Sequence, residues 1–263
     1  MRSRIAFPAT TLLILVTVSV LLPALPALNP DSIHLGRRLE KPSSSFILGT
    51  DELGRDLFSR IVKGSALSMK LTAVSLLLAV LLGGFFGGMA GYSGGAPDYF
   101  LRRFMDVLLA LPGLLLAILI MAFFKKGEYS LIMALTATSW IGYARTSRMT
   151  AKVLKKAGFV ESAVVSGAGP VTIWKKHIFR NILPVLMTQA TAGAAGIIMT
   201  ESGLSFLGLG ISPPAPSIGG ILSTGCDYLL ESPHIVILAS LYLLALLWSL
   251  YRISDGLQEM AGQ

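Results

Sequence analysis

The stretch ALSMKLTAVSLLLAVLLGGFFGGMAGY, residues 66–92, decides the fold of this chain. A bilayer core about 30 Å thick needs about 20 helical residues at a rise of about 1.5 Å each, and this run is long and apolar enough to supply them. Its second half carries Gly83, Gly87 and Gly91 at intervals of four residues. Such small faces let two helices approach closely in lipid. The stretch therefore predicts a membrane helix that packs tightly against a second helix.

The composition of the whole chain also favours a membrane protein. Of 263 residues, 53% are hydrophobic and 14% are charged, whereas globular proteins carry about 25% charged residues. The formal net charge is +8, but the basic residues lie at the ends of apolar runs, where membrane topology explains them better than nucleic-acid binding does. Cys226 is the single cysteine, so an internal disulfide is excluded, and no Cys/His spacing resembles a zinc site.

Six stretches are long and apolar enough to predict an all-α membrane protein with six transmembrane helices. They are residues 5–28, 66–92, 105–124, 130–148, 183–206 and 235–253. Pro23 and Pro26 near the end of the first stretch predict a kink there, or the point at which the chain leaves the membrane. An even number of spans places both termini on the same side.

The distribution of Lys and Arg predicts which side is cytoplasmic. The loop 149–182 carries six basic residues against one acid, Glu161, whereas the stretch 212–234 contains neither Lys nor Arg. Positive charge accumulates in cytoplasmic loops, so we expect the loop 149–182 and both termini in the cytoplasm. Lys125 and Lys126 then fall on the outer side, which argues mildly against this topology.

A charged segment, residues 48–60, follows the first span and lies on the outer side in this topology. The four residues that we call the external cluster are Asp51, Glu52, Arg55 and Asp56. Because Asp51 and Arg55 are four positions apart, as are Asp56 and Arg60, the spacing predicts two ion pairs on a helical surface. The external cluster either braces this segment or docks an external protein, and a merely solvated loop is the plain alternative.

Four motifs, in this order, resemble the inner-membrane permease subunits of ATP-binding-cassette (ABC) importers of the dipeptide, oligopeptide and nickel class. They are LGTDELGRDLFSR (48–60), AGYSGG (90–95), RRFMDVLLALPGLLLAI (102–118) and ESGLSFLGLGISPPAPS (201–217). The resemblance implies the transmembrane fold of type I importers. Residues 1–47 would form an N-terminal anchor helix and the start of the external loop, and residues 48–263 the permease domain.

A fifth element, in the loop 149–182, resembles the EAA motif of binding-protein-dependent permeases. Its residues are Glu161, Ser162, Ala163, Gly167, His177 and Pro184. In that family a short acidic-small-small helix, a glycine turn and a second helix form the coupling helix, which sits in a groove of a cytoplasmic ATPase. Small residues would permit close backbone contact there. A basic loop resting on anionic lipid headgroups is the alternative that the residues alone leave open.

Glu201 is the only carboxylate well inside a predicted span. It lies about 27 Å along the fifth span at about 1.5 Å per residue, close to the outer boundary. Intramembrane acids are functional candidates by default. Glu201 is therefore a possible part of the substrate path or gate, with a partnered structural acid as the alternative.

The sequence predicts a transport subunit rather than an enzyme. It contains no G-x-x-x-x-G-K-[ST] phosphate loop, and no histidine lies inside a span as a base for an intramembrane serine. We expect no catalytic residue, metal site or cofactor on this chain, and ATP and Mg would be used by partner chains.

The resemblance implies one subunit of an ATP-driven importer, fed by a binding protein, that carries peptides or free or chelated nickel across a bacterial or archaeal cytoplasmic membrane. The implied partners are a second homologous permease, two ABC ATPases, an extracytoplasmic substrate-binding protein and the lipid bilayer. The alternative is an ion-gradient-driven transporter of a small polar solute, which predicts a broken helix or an acid at mid-membrane and an inverted repeat. We find neither pattern in the sequence.

Overall fold

The computed structural model describes residues 2–22 and 29–261. Its helices are α1 (Arg2–Leu21), α2 (Leu57–Ser93), α3 (Gly95–Leu109), α4 (Gly113–Phe123), α5 (Glu128–Leu154), α6 (Gly158–Val165), α7 (Pro170–Thr172), α8 (Arg180–Phe206), α9 (Ile218–Asp227) and α10 (His234–Ala261). A 3-10 turn, Leu35–Arg37, and a π-helical segment, Ile173–Phe179, lie between them. In the described part of the chain the only β pairing is an isolated bridge between Thr50 and Asp56, so the all-α prediction is confirmed there.

Within the described residues, the predicted spans coincide with helix except at the break between α3 and α4, although not every span is long and apolar enough to cross a membrane by itself. Three helices meet that requirement: α2, the continuous helix Pro170–Phe206, and α10. The pair α3 and α4 qualifies only when its two helices are counted together, and the apolar part of α1 is shorter, Phe7–Ser19. The count of six spans stays a prediction, and the predicted kink at Pro23 and Pro26 lies outside the described residues.

The third span was predicted as one continuous helix, 105–124, and this was wrong. The structure ends α3 at Leu109 and starts α4 at Gly113, and the two helix axes bend by 91°. Pro112, directly before α4, has no backbone N–H and disfavours helical dihedrals at Leu111. The proline explains the break, which leaves α4 only 11 residues long.

The centre of the fold is the contact between α2 and α5. A Cβ atom at Gly83 would lie 2.5 Å from a backbone oxygen of α5, and one at Gly87 or Gly91 would collide with the carbonyl oxygens of Ala144 or Arg148. Only glycine lets the two backbones come so close. The tight helix pairing predicted from the glycine spacing is therefore confirmed, and it positions the C-terminal half of α2 against α5.

Candidate coupling and transport sites

The external cluster is organised around one nearly buried carboxylate, that of Asp51. It pairs with Arg55 Nε at 2.7 Å and with Arg60 Nε at 3.1 Å. Its Oδ1 atom also accepts the backbone N–H groups of Leu53 and Arg55, both at 2.9 Å. Glu52 adds a second contact to Arg55 at 2.6 Å. Asp51 is 3% exposed and Arg60 is 8% exposed. The network is therefore largely buried and stabilises the segment, unlike ion pairs on the surface of a solvated loop.

The predicted Asp56–Arg60 ion pair was wrong, and so was the helical surface for residues 51–55. Helix α2 begins only at Leu57, and Asp56 is its N-cap, accepting the backbone N–H of Ser59 at 2.9 Å and the Ser59 hydroxyl. The first N–H groups of a helix have no intrahelical partner, so a carboxylate is favoured at this position. Arg60 is thereby free to reach Asp51. Gly54, in the left-handed region at φ +74°, turns the chain just before the helix.

The loop 149–182 contains a helix, a glycine turn and a second helix, which we call the coupling hairpin (residues 158–179). Helix α6 ends at Val165, and Gly167 follows at φ +82°. The Gly167 N–H donates to Val164 O at 2.9 Å and the Ala168 N–H donates to Ala163 O at 3.0 Å. This pair of bonds is the Schellman motif, which requires a left-handed residue at the position of Gly167. Pro170 then opens α7 at a helix start, where its missing N–H costs nothing.

The tip of the coupling hairpin exposes apolar side chains, and exposed lysines lie nearby in the sequence on both sides of it. Val164, Val165 and Val171, which we call the apolar tip, are 56%, 89% and 66% exposed. Four exposed lysines lie just before the hairpin or in its second half: Lys155, Lys156, Lys175 and Lys176. The predicted EAA-like residues share this region: Glu161, Ser162 and Gly167 are exposed, Ala163 and His177 are half-buried, and Pro184 lies exposed one turn into α8. The arrangement leaves an uncovered contact surface.

The opposite face of the coupling hairpin is anchored in the bundle. Ile178 and Ile182 are fully buried in a cluster that also contains Ala79 of α2 and Tyr143 of α5. Trp174 packs near Tyr92 and Phe85 of α2 and Phe179, at ring-centre distances of 6.1, 6.4 and 5.7 Å. Sequence reasoning missed Trp174. Trp174 and Ile178 are four positions apart with lysines between them, a spacing that is typical of the apolar face of an amphipathic helix. This spacing could have identified Trp174.

Glu201 is fully buried and accepts hydrogen bonds from serines on two helices. Ser68 Oγ of α2 and Ser205 Oγ of α8 each lie 2.8 Å from its carboxylate oxygens, and Ser202 Oγ lies 3.5 Å away. The carboxylate therefore ties α8 to α2. Ser68 could not be identified as its partner from the sequence, because the two residues are 133 positions apart.

A partly buried ion cluster near the C-terminal end of α5 was also missed. Arg148 donates through Nε and Nη2 to the two carboxylate oxygens of Asp98 at 2.5 and 2.8 Å, and Lys152 Nζ donates to Asp98 at 2.7 Å. Such a two-pronged pair fixes orientation as well as distance. It attaches the start of α3 to α5, before the α3–α4 bend.

A cleft of about 310 Å³, which we call the polar cleft, lies between α4, α5 and α8. Its lining includes five polar side chains and a glycine: Thr138, Ser139, Tyr143, Gln189, Thr200 and Gly193. Among the described residues that line it, none carries a charge. The cleft therefore presents hydroxyl and amide groups inside an otherwise apolar bundle.

Comparison with known proteins gives consistent results. The sequence profile described as "Binding-protein-dependent transport system inner membrane component" matches residues 54–261. The chain is 36% identical over 84% of its length to the glutathione transport system permease protein GsiD of Pectobacterium atrosepticum, covering 73% of that protein. It is 35% identical to the oligopeptide permease protein OppC of Haemophilus influenzae, over 80% and 68% of the two chains. It is 34% identical to the dipeptide permease protein DppC of Bacillus subtilis, over 89% and 74%.

Among solved structures, the chain resembles the MetNI methionine ABC transporter in inward-facing conformations. The TM-score is 0.56 at 19% sequence identity, with 75% of this chain and 95% of the other covered. A second crystal form of the same transporter gives a TM-score of 0.52. At this level of identity the likeness shows the fold alone, and the fold is that of a type I importer's membrane subunit.

Proposed function

The chain belongs to the family of binding-protein-dependent transport system inner membrane components, and from that premise we propose that it carries peptides across the cytoplasmic membrane of a bacterium. It is a membrane-spanning permease subunit of an ATP-driven importer and not an enzyme, because ATP is hydrolysed by separate ATPase subunits in this family. The family description names a binding-protein-dependent system, which supports a substrate-binding protein as partner, and we propose that this protein docks on the extracytoplasmic side.

The choice of peptides over nickel is supported by the relatives. The three most informative ones are named for glutathione, oligopeptides and dipeptides, and their identity to this chain lies between 34% and 36%. Glutathione is itself a tripeptide, so all three substrates share amide groups. The names of these relatives are the main observation that supports peptides as the substrate.

The coupling hairpin is proposed as the contact with the ATPase. Its apolar tip and its lysines are exposed, while its inner face is packed on α2 and α5. An element that is rigid on one side and uncovered on the other suits the transmission of force. The side chains proposed to enter the ATPase groove are Glu161, Ser162 and Ala163, with Gly167 at the turn and His177 and Pro184 behind it.

The assembly is proposed to contain two permease chains, this one and a second homologous one, which line a single path. Two ATPases would bind their coupling hairpins, and closure of the ATPases would rock the spans between inward-open and outward-open states. In this arrangement both termini and the coupling hairpin lie in the cytoplasm. The external cluster braces the outer segment, and Glu201 contributes to the outer gate by holding α2 against α8.

The proposal is tested by uptake of tritiated trialanine into cells that express the transport system with and without this chain. We expect ATP-dependent uptake only when the chain is present. Uptake of ⁶³Ni²⁺, alone or with histidine as chelator, is measured in parallel. Nickel uptake in the absence of peptide uptake would show that the substrate is nickel and not peptides. Uptake that persists after ATP depletion but stops when the ion gradient is dissipated would instead favour a secondary transporter.

A further inference from the structure

The polar cleft contains two buried polar atoms that have no hydrogen-bond partner in the described part of the chain, Tyr143 Oη and Gln189 Oε1. Tyr143 is 2% exposed. A polar atom without a partner is costly in the interior of a membrane bundle, where water is scarce. Both residues line the same cleft. Both atoms are enclosed in this conformation. A ligand with complementary donors and acceptors would supply the partners that the described part of the chain lacks, once α5 and α8 move apart during transport.

We propose that the polar cleft binds the backbone amide groups of the peptide in transit, an assignment that rests on the proposed function. The side-chain amide of Gln189 offers an acceptor and two donors, and the phenol of Tyr143 can donate or accept. An amide unit of a peptide presents one N–H and one C=O, the complement of these groups. Gln189 and Tyr143 are thus assigned as the residues that contact the solute.

The position of Tyr143 is set by α8. A Cβ atom at Gly193 would collide with the phenol oxygen of Tyr143, so a residue without a side chain is required where the ring reaches the cleft. The rest of the ring packs against the buried cluster that includes Ile182 and Leu186. The hydroxyl is therefore held at the boundary between α5 and α8 instead of turning freely.

The hydroxyl groups of the cleft add acceptors for peptide N–H groups. Thr138 Oγ1 donates to Ala134 O at 3.0 Å, and Thr200 Oγ1 donates to Gly196 O at 2.9 Å. Each hydroxyl has thereby used its one proton on the helix backbone, and its lone pairs remain as acceptors.

The chemistry of the lining residues indicates the class of ligand. Carboxylate, imidazole and thiolate groups, which bind transition metals, do not occur among the described residues that line the cleft. Neutral hydrogen-bonding groups recognise the amides common to all peptides and ignore their side chains. Binding of this kind is also weak enough to permit release, which passage through a membrane requires.

The test uses the complete transporter, assembled from this chain with its ATPases and binding protein in liposomes, and tritiated trialanine at a subsaturating concentration. Gln189→Leu and Tyr143→Phe each remove hydrogen-bonding groups at nearly constant volume. We expect each to lower uptake by about three- to tenfold, the equivalent of one hydrogen bond. The matched control is Thr188→Val, because the Thr188 hydroxyl bonds only to Pro184 O on its own helix. It should leave uptake within about twofold of the wild type.

A second measurement locates the peptide directly and does not depend on uptake rates. A photoreactive amino acid at Ser139, in the cleft, should crosslink to tritiated trialanine during ATP-driven transport. The same amino acid at Met133, on α5 but away from the cleft and 42% exposed, should not. Unchanged uptake by both cleft variants together with no crosslink at Ser139 would overturn the assignment while leaving peptide transport intact. A wild-type transporter that takes up no trialanine would instead refute the proposed function.

Discussion

Asp51 illustrates how single residues stabilise the external segment. One carboxylate accepts two guanidinium groups and two backbone N–H groups while almost excluded from solvent. Ion pairs on a wet surface contribute little, whereas removing one partner of a buried pair leaves an uncompensated charge. The geometry favours the brace interpretation of the external cluster over a solvated loop.

Asp51→Ala should destabilise the protein by about 3–5 kcal/mol, the cost typical of breaking a buried ion pair, since it leaves Arg60 unpaired. The measurement is the apparent melting temperature of the purified protein in detergent. Asp31→Ala is the control, because its ion pair with Lys63 at 2.9 Å is substantially exposed on both sides and should contribute at most about 1 kcal/mol. Equal, small shifts in both variants would show that the external cluster is merely solvated.

Glu201 is the residue at which a structural role and a gating role can be separated. Glu201→Gln keeps the size of the side chain and one acceptor for Ser68, so we expect near-normal stability and uptake if the residue only ties α8 to α2. Glu201→Leu leaves the hydroxyls of Ser68 and Ser205 without this acceptor and should destabilise the protein by about 1–3 kcal/mol.

The informative comparison is between stability and uptake in the Gln variant. Melting temperature and trialanine uptake are measured on the same preparation. If Glu201→Gln retains the wild-type melting temperature but transports no peptide, the negative charge itself is needed for transport. Glu201 would then do more than link α8 to α2 by hydrogen bonds.

At the scale of elements, glycine decides how helices meet and turn. Gly87 and Gly91 allow the backbone of α2 to touch that of α5, while Gly167 ends α6 in the left-handed region. These are different physical demands, since the first concerns space and the second concerns the backbone dihedral. The Schellman turn at Gly167 sets the direction in which the apolar tip leaves the bundle.

Gly167→Val should uncouple ATP hydrolysis from uptake. Left-handed dihedrals cost an ordinary residue about 1–2 kcal/mol and a β-branched one more, so the turn should change shape while the membrane helices stay assembled. We expect ATPase activity of the reconstituted transporter to persist and trialanine uptake to fall.

Gly169→Val provides the matched control two residues away. Gly169 has extended dihedrals, φ −69° and ψ 157°, and open space around its Cβ position. Valine should be accepted there without loss of uptake. Normal, coupled uptake by Gly167→Val would count against the coupling assignment.

At the scale of the whole molecule, one buried cluster joins the coupling hairpin to the polar cleft. Ile178 of the hairpin and Ile182, just after it, share this cluster with Tyr143, which lines the cleft. Closely packed interiors shift as units because they leave little room for gradual deformation. A displacement of the hairpin by an ATPase should therefore reach the cleft, within this chain, through packed side chains.

The predicted topology can be checked with the natural cysteine. Cys226 is exposed on α9, in the stretch predicted to lie outside, so a membrane-impermeant maleimide should label it in intact cells. In a Cys226→Ala background, a cysteine placed by Ser166→Cys in the coupling hairpin should be labelled only after the membrane is opened. The reverse pattern would place the hairpin outside and remove the basis for ATPase coupling.

The sequence predicted well those features that depend on local pattern. Length and apolarity of the runs predicted the helical class, and the glycine spacing in α2 predicted its close contact. The helix, glycine turn and second helix in the loop 149–182 were implied only by the resemblance to the EAA motif. The prediction of a continuous third span was wrong because it considered the apolar run alone and ignored Pro112 within it. A proline in such a run is a local signal, and it should have predicted the break.

By itself, then, the sequence determined the class of the protein, because lipid accepts only chains that satisfy their backbone hydrogen bonds internally and present apolar side chains. The tertiary structure alone decided which polar groups meet: Arg60 with Asp51 in place of Asp56, Ser68 with Glu201, and Asp98 with Arg148. It also brought Tyr143 beside Gln189. Spacing along one helix can predict only neighbours on that helix, and these partners are set by where separate helices converge.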